Sequence, residues 1–137
     1  MTQLTPASMV IDSSALVALL ADAGSVGQWV EYSTRGVHLA APQLVIFEAA
    51  NVLRRHYLTK ELDSTQATLV HQDLLDLRVH LWPYATLAAR AWKLRNNVTS
   101  YDASYVALAE LLDAPLITLD RRLARADGVS CQVLTPP

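Results

Sequence analysis

Short apolar runs alternate with longer stretches of helix-spaced apolar residues from position 9 to position 134, and this alternation constrains the chain more than any other feature. A short apolar run needs partner strands on both sides. A helix placed between two such runs lets them lie parallel, so the pattern reads as repeated βαβ units around a parallel sheet. Strands are expected at residues 9–11, 37–40, 79–81 and 115–118, with an edge strand at 132–134. Helices are expected at 15–21, 26–32, 43–60, 64–75, 87–94, 100–112 and 121–126. Their ends carry the usual signals: Asp12-Ser13-Ser14 and Thr99-Ser100 as caps, Pro42 at a helix start, and Gly24, Gly36 and Gly128 as breaks. The 100–112 pattern is apolar nearly all round, as expected of a helix buried on every side.

Length fits one domain: 137 residues, read as a flexible extension over 1–8 and a single domain over 9–135, with Met9 as an alternative start. The apolar fraction of 52% supports a real core and argues against disorder. No apolar run reaches the ~18 residues of a membrane span, and MTQLTPAS lacks the basic start and apolar stretch of a signal peptide. One cysteine, Cys131, excludes a disulfide framework and points to a reducing, cytoplasmic setting. A net charge of −2 rules out bulk polycation behaviour, so any nucleic-acid contact needs a local patch or a bound metal.

Four acids stand where ligands bind in such folds. In a parallel sheet the carboxyl ends of the strands share one edge, and the crevice there is the usual site. Asp12 directly follows the first strand, Asp120 follows the fourth, and Asp102 opens the helix that feeds the fourth. Each has an ordinary alternative as a helix cap, Asp102 as the third helical residue of a capping box headed by Thr99. Glu48 escapes that explanation. It sits within the long helix between Val45-Ile46-Phe47 and Ala49-Ala50, on one polar stripe with Asn51 and Arg55. A glutamate among apolar neighbours needs a cation or an arginine. Clustered carboxylates repel one another and hold protons unless a cation intervenes, and oxygen-only donors favour Mg2+ or Mn2+ over zinc. Phosphodiester hydrolysis is the chemistry that suits four acids without a histidine or cysteine nucleophile.

Other residues carry blander expectations. His38, His56, His71 and His80 show no metal-ligand spacing, Cys131 reads as packing, and Trp29, Trp82 and Trp92 as core or interface. Arg121, Arg122 and Arg125 either form a solvated helix face or offer charge to phosphate. A phospho-acceptor module also places acids at strand ends, but it needs a lysine past the last core strands, and Lys60 and Lys93 both lie earlier. A non-catalytic docking protein of the same fold is a third reading, against which four intact acids argue.

The segments MVIDSSALVALL, APQLVIFEAANVLRR and TSYDASYVALAELLDAPLITLD, in this order and spacing, strongly resemble PIN-domain ribonucleases, and among them the VapC-type toxins of bacterial toxin–antitoxin pairs. The resemblance runs from Val10 to Ala126. It implies a three-layer α/β/α sandwich with a short parallel sheet, and an Mg2+-dependent endoribonuclease with its metal on Asp12, Glu48, Asp102 and Asp120. It implies Asn51, Thr118 and Ser14 as supporting polar residues, whereas Tyr101 and Tyr105 match aromatic positions better explained by core packing. The resemblance further implies a homodimer and a cognate VapB-type antitoxin, with RNA as substrate and no direct DNA binding. Arg55, Arg121 and Arg122 are candidates for substrate contact. Many relatives carry a further acid after the last of the four. Here Arg121 and Arg122 follow Asp120 instead, which puts a second tightly held metal in doubt.

Overall fold

The computed structural model describes residues 7–137. Five parallel strands form one sheet: β1 (Ser8–Ile11), β2 (His38–Pro42), β3 (Val79–Trp82), β4 (Leu116–Ile117) and β5 (Val133–Leu134), in the order β3-β2-β1-β4-β5. Among the described residues seven helices connect them: α1 (Ser13–Ala21), α2 (Ser25–Thr34), α3 (Leu44–Leu58), α4 (Ser64–Asp76), α5 (Tyr84–Lys93), α6 (Ser100–Leu112) and α7 (Arg121–Ala124). The chain moves one way across the sheet from β1 to β3, then returns past β1 to β4. Right-handed crossovers in opposite directions must put their helices on opposite faces. Accordingly α1, α2, α3 and α4 pack among themselves, while α5 and α6 pair and α6 lies against β1, β2 and β4. This is the expected three-layer α/β/α sandwich.

Burial follows the sequence. Val10, Ile11, Leu116 and Ile117 in the central strands are fully buried, as strands covered on both faces require. Every residue of α6 from Ala103 to Ala109 is buried, which explains its unbroken apolar pattern. At Gly27 in α2, a Cβ would sit 1.8 Å from the Asp22 carbonyl oxygen, so only glycine permits this approach to the end of α1. An αL turn at Asp113 closes α6 and sends the chain into β4.

Boundaries differ from expectation in instructive places. Pro42 ends β2 rather than opening a helix. It lies beyond the pairing of β2 with β1, so its missing N–H leaves no bond to β1 unmade. Helix α5 begins at Tyr84, three residues before the expected start, because Pro83 sets its N-cap. The expected extension over 1–8 reaches too far: Ser8 already belongs to β1, and the Ala7 carbonyl accepts from His38 N–H at 3.1 Å. Residues 1–6 of that extension lie outside the described residues. Among the described residues, no helix is long and apolar enough to cross a membrane.

Candidate metal centre

The return of the chain past β1 makes β1 and β4 the switch point of the sheet, where a crevice opens at the carboxyl edge. The register pairs Ile11 with Ile117, so the next residues, Asp12 and Thr118, emerge side by side. Asp12 N–H donates to the Ile117 carbonyl at 3.2 Å, fixing the backbone there.

Asp12 is the most firmly held of the four acids. It caps α1 by accepting from Ala15 N–H at 3.0 Å, and the Ser14 hydroxyl donates to the same oxygen at 2.6 Å. The hydroxyl of fully buried Thr118 donates to its other oxygen. Both hydroxyls are tied back to the loop after β4: Thr118 accepts from Asp120 N–H and Ser14 accepts from Leu119 N–H, each at 3.0 Å. Thr118 and Ser14 therefore orient Asp12 and couple it to the segment that carries Asp120. Burial still pushes the Asp12 carboxyl above its ordinary value, against the three donors, and the Asp120 charge adds to the rise.

Glu48 lies one turn into α3 and is half-buried. Its partner is neither Asn51 nor Arg55, both exposed, but Tyr105 from α6, whose hydroxyl donates to Oε1 at 2.5 Å. Burial raises its carboxyl, the Tyr105 bond lowers it, and Asp12 and Asp102 raise it further. The expectation that Glu48 sits among buried residues holds for Val45 and Ala49 and fails for Phe47, which is 80% exposed. Tyr105 is buried as expected, and its hydroxyl also donates to Glu48. Tyr101, expected in the core, is 64% exposed.

Asp102 stands in the first turn of α6. Thr99 caps that helix by accepting from Asp102 N–H at 3.1 Å, so the hydroxyl does the capping. The Asp102 carboxyl is raised by burial, then by Asp120 and Asp12, while Arg122 and Thr99 lower it. Asp120 differs from the other three. It caps α7, and the Arg122 guanidinium grips both its oxygens, Nε to Oδ1 and a terminal nitrogen to Oδ2, each at 3.1 Å. That grip holds its carboxyl below the ordinary range. Arg122 thus engages an acid through Nε and one terminal nitrogen, and Arg121 donates to the Pro136 carbonyl at 2.9 Å.

Two clefts flank the acids. One is lined by Ser13, Ser14, Val17, Arg55, His56 and Leu119, the other by Asn97, Thr99, Asp102, Asp120 and Arg122. Among the described residues no three His, Cys, Asp or Glu side chains are already arranged to hold an ion. Asp12, Glu48 and Asp120 each hold another partner: Ser14 and Thr118, Tyr105, and Arg122. The donor set nevertheless fits a hard divalent ion. It is carboxylate oxygen only, and burial together with the charge of the neighbouring acids holds three of the four above their ordinary pKa. Neither lysine comes within ion-pairing distance of these acids. His56 lies 3.8 Å from Glu61 and His80 stacks on Trp82, and neither forms an ion pair with the four acids. Trp29 and Trp82 pack against the core, whereas Trp92 is 60% exposed under Arg95.

Comparison with known proteins agrees with this geometry. Residues 9–129 match the PIN domain family. The ribonuclease VapC1 of Mycobacterium tuberculosis is 38% identical over 125 residues, covering 90% of this chain and 94% of that protein. Among solved structures, PAE2754 from Pyrobaculum aerophilum superimposes with a TM-score of 0.66 at 28% identity, over 92% of this chain and 82% of that one. A toxin–antitoxin complex from Klebsiella pneumoniae gives 0.64 at 19% identity, over 95% and 98%, which speaks for the fold alone. A parallel sheet with acids gathered at its switch point and near-full-length similarity to VapC1 together place the chain in the PIN-domain family, among the VapC ribonucleases.

Proposed function

We propose that this chain is an Mg2+-dependent endoribonuclease, the toxin of a type II toxin–antitoxin pair, cutting RNA with a water activated at Asp12, Glu48, Asp102 and Asp120. The observation that carries the reading is the set of three acids raised by burial and mutual charge at the β1/β4 crevice. Uncompensated carboxylates weaken a fold, and they persist at functional sites because a ligand balances them. The four acids would hold Mg2+, with Mn2+ as a substitute. When bound, the ion supplies charge neutralisation at the phosphate and a more acidic water.

The chain's own residues set the stage. Ser14 and Thr118 keep Asp12 in one rotamer, and Tyr105 holds Glu48 towards Asp12 and Asp102. Asn51, one turn beyond Glu48 on α3, would orient a ligand of the site from its exposed position. Arg55, on the wall of the first cleft, would meet the RNA backbone. A cognate VapB-type antitoxin would block the acids, and the active form would be a homodimer in the reducing cytoplasm. Sequencing RNA 5′ ends after induced expression tests the activity. New ends at defined sites are expected with the wild type and not with Asp102→Asn or Asp12→Asn, and purified wild type should lose cleavage in EDTA. Full cleavage by either purified variant would overturn the assigned roles. Co-expression of the neighbouring small reading frame should restore growth.

A further inference from the structure

We propose that Arg122 stands in for a second divalent ion, so that the site works with one ion among Asp12, Glu48 and Asp102 and with a guanidinium on Asp120. This inference rests on the nuclease reading and narrows it, because it takes Asp120 out of the ion's ligand set, fixes the number of ions at one and gives Arg122 a role at the phosphate.

Charge is unevenly distributed over the four acids. Among the described residues, Arg122 is the only basic side chain within ion-pairing distance of any of them. It is paired with one acid only. The pairing uses both Asp120 oxygens, and the Arg122 backbone N–H adds a third donor at 3.0 Å. Asp120 is therefore satisfied on the side facing α7. Asp12, Glu48 and Asp102 have no cationic partner within that distance. The cluster thus divides into a balanced part and an unbalanced part, and only the unbalanced part calls for an external cation.

Two ions about 4 Å apart serve phosphodiester hydrolysis by stabilising both the attacking and the leaving oxygen. A guanidinium can serve one of those two positions, since its planar fork matches phosphate as well as carboxylate. Arg122 is placed for this. Its side chain is 90% exposed and contributes to the wall of the cleft that contains Asp102 and Asp120. Nothing packs it down, so its outer N–H groups are open to a phosphodiester while the inner ones stay on Asp120. The same feature gives the pair two states, closed on Asp120 alone or shared with RNA.

Counting bound Mn2+ on the purified chain tests the proposal without reference to cleavage. Free Mn2+ is read by electron paramagnetic resonance during a titration at pH 7.5, with wild type, Arg122→Gln and Arg122→Asp. The wild type is expected to take up one ion per chain. Arg122→Asp, which puts an acid where the guanidinium was, is expected to take up a second. Arg122→Gln should bind the first ion several-fold more tightly, since a competing positive charge is gone, and should raise the KM for RNA at least tenfold. Arg122→Lys keeps the charge but not the fork, so it should keep one ion and recover only part of the KM. Two tightly bound ions in the wild type would overturn the proposal, as would identical stoichiometry and affinity in wild type, Arg122→Gln and Arg122→Asp. In either case Mg2+-dependent cleavage by the wild type would leave the nuclease reading standing. Absence of both ion binding and cleavage would remove that reading and this one with it.

Discussion

Replacing Thr118 by valine isolates the coupling that holds the site together. Valine keeps the shape of a fully buried side chain and removes only the hydroxyl. Two bonds go with it: the donation to Asp12 and the acceptance from Asp120 N–H. A hydrogen bond to a charged group contributes about 1.5–3 kcal/mol, and leaving a donor without a partner costs about 1–3 kcal/mol. Asp120 is only half-buried, so water can satisfy part of the second loss. The sum is about 3 kcal/mol near pH 7.5, or a Tm lower by about 10 °C for a chain of this size. The sign of the pH dependence follows from Asp12. Its folded pKa lies above the ordinary 3.8, so it favours folding at acid pH and loses that contribution as pH rises through the folded pKa. Removing a donor to the ionised form raises the folded pKa further. The penalty of Thr118→Val should therefore shrink as pH falls through the Asp12 titration and grow to a plateau above it, while the share from the Asp120 N–H stays throughout. Urea denaturation of the two proteins at pH 4.5 and 7.5, free of divalent ions, measures it. Equal destabilisation at both pH values would refute the coupling and leave Thr118 as packing beside β4.

Three further outcomes follow from the same charges. Mg2+ at 100 times its Kd should stabilise the wild type by about 2.7 kcal/mol, and the midpoint concentration should rise as pH falls because Asp12, Glu48 and Asp102 hold protons longer than ordinary carboxyls; differential scanning fluorimetry with an EDTA control reads both. Metal-free Asp102→Asn should melt higher than metal-free wild type at pH 7.5, because ionised Asp102 opposes folding there, and the Mg2+ response should shrink or vanish. Arg90→Ala breaks the two bonds to Glu110 at 2.6 and 3.0 Å and the bond to the Gly128 carbonyl at 2.8 Å; since Arg90 is over a third exposed, denaturation should show a loss of only about 1 kcal/mol, with cleavage unchanged.

The fold could be read because burial on both sides leaves a plain mark. Val10-Ile11 and Leu116-Ile117 are apolar without alternation, and α6 is apolar around its circumference. Strand order left no such mark, since a short apolar run does not say which run lies beside it. The acids were legible for a related reason: strand ends in a parallel sheet share an edge, so Asp12 and Asp120 had to meet there. Their partners were not. Helical spacing put Asn51 and Arg55 on the stripe of Glu48, yet both face solvent and the real partner, Tyr105, is 57 residues away on another layer. No periodicity links positions on α3 and α6; only the fold does. Residue spacing leaves Arg122 between a solvated helix face and a phosphate contact, and it does not specify the tight turn into α7 that brings Arg122 back to Asp120.

The unequal support of the acids also decides which substitution tests the chemistry most cleanly. Asp12 is bound into the fold by Ala15 N–H, Ser14 and Thr118, and those hydroxyls reach on to Leu119 and Asp120. Changing it alters a cap, two hydroxyl orientations and the loop after β4 together with any metal contact. Asp120→Asn would disturb the α7 cap and release Arg122 at the same time. Asp102 carries no such duty, because Thr99 caps α6 in its place and the carboxyl is influenced by burial first, then by the other acids, Arg122 and Thr99. An ion entering the crevice meets Asp102 with fewer bonds to give up than Asp12 has. A loss of cleavage in Asp102→Asn accompanied by equal or greater stability therefore locates the effect in the chemistry, which a loss in Asp12→Asn alone does not do.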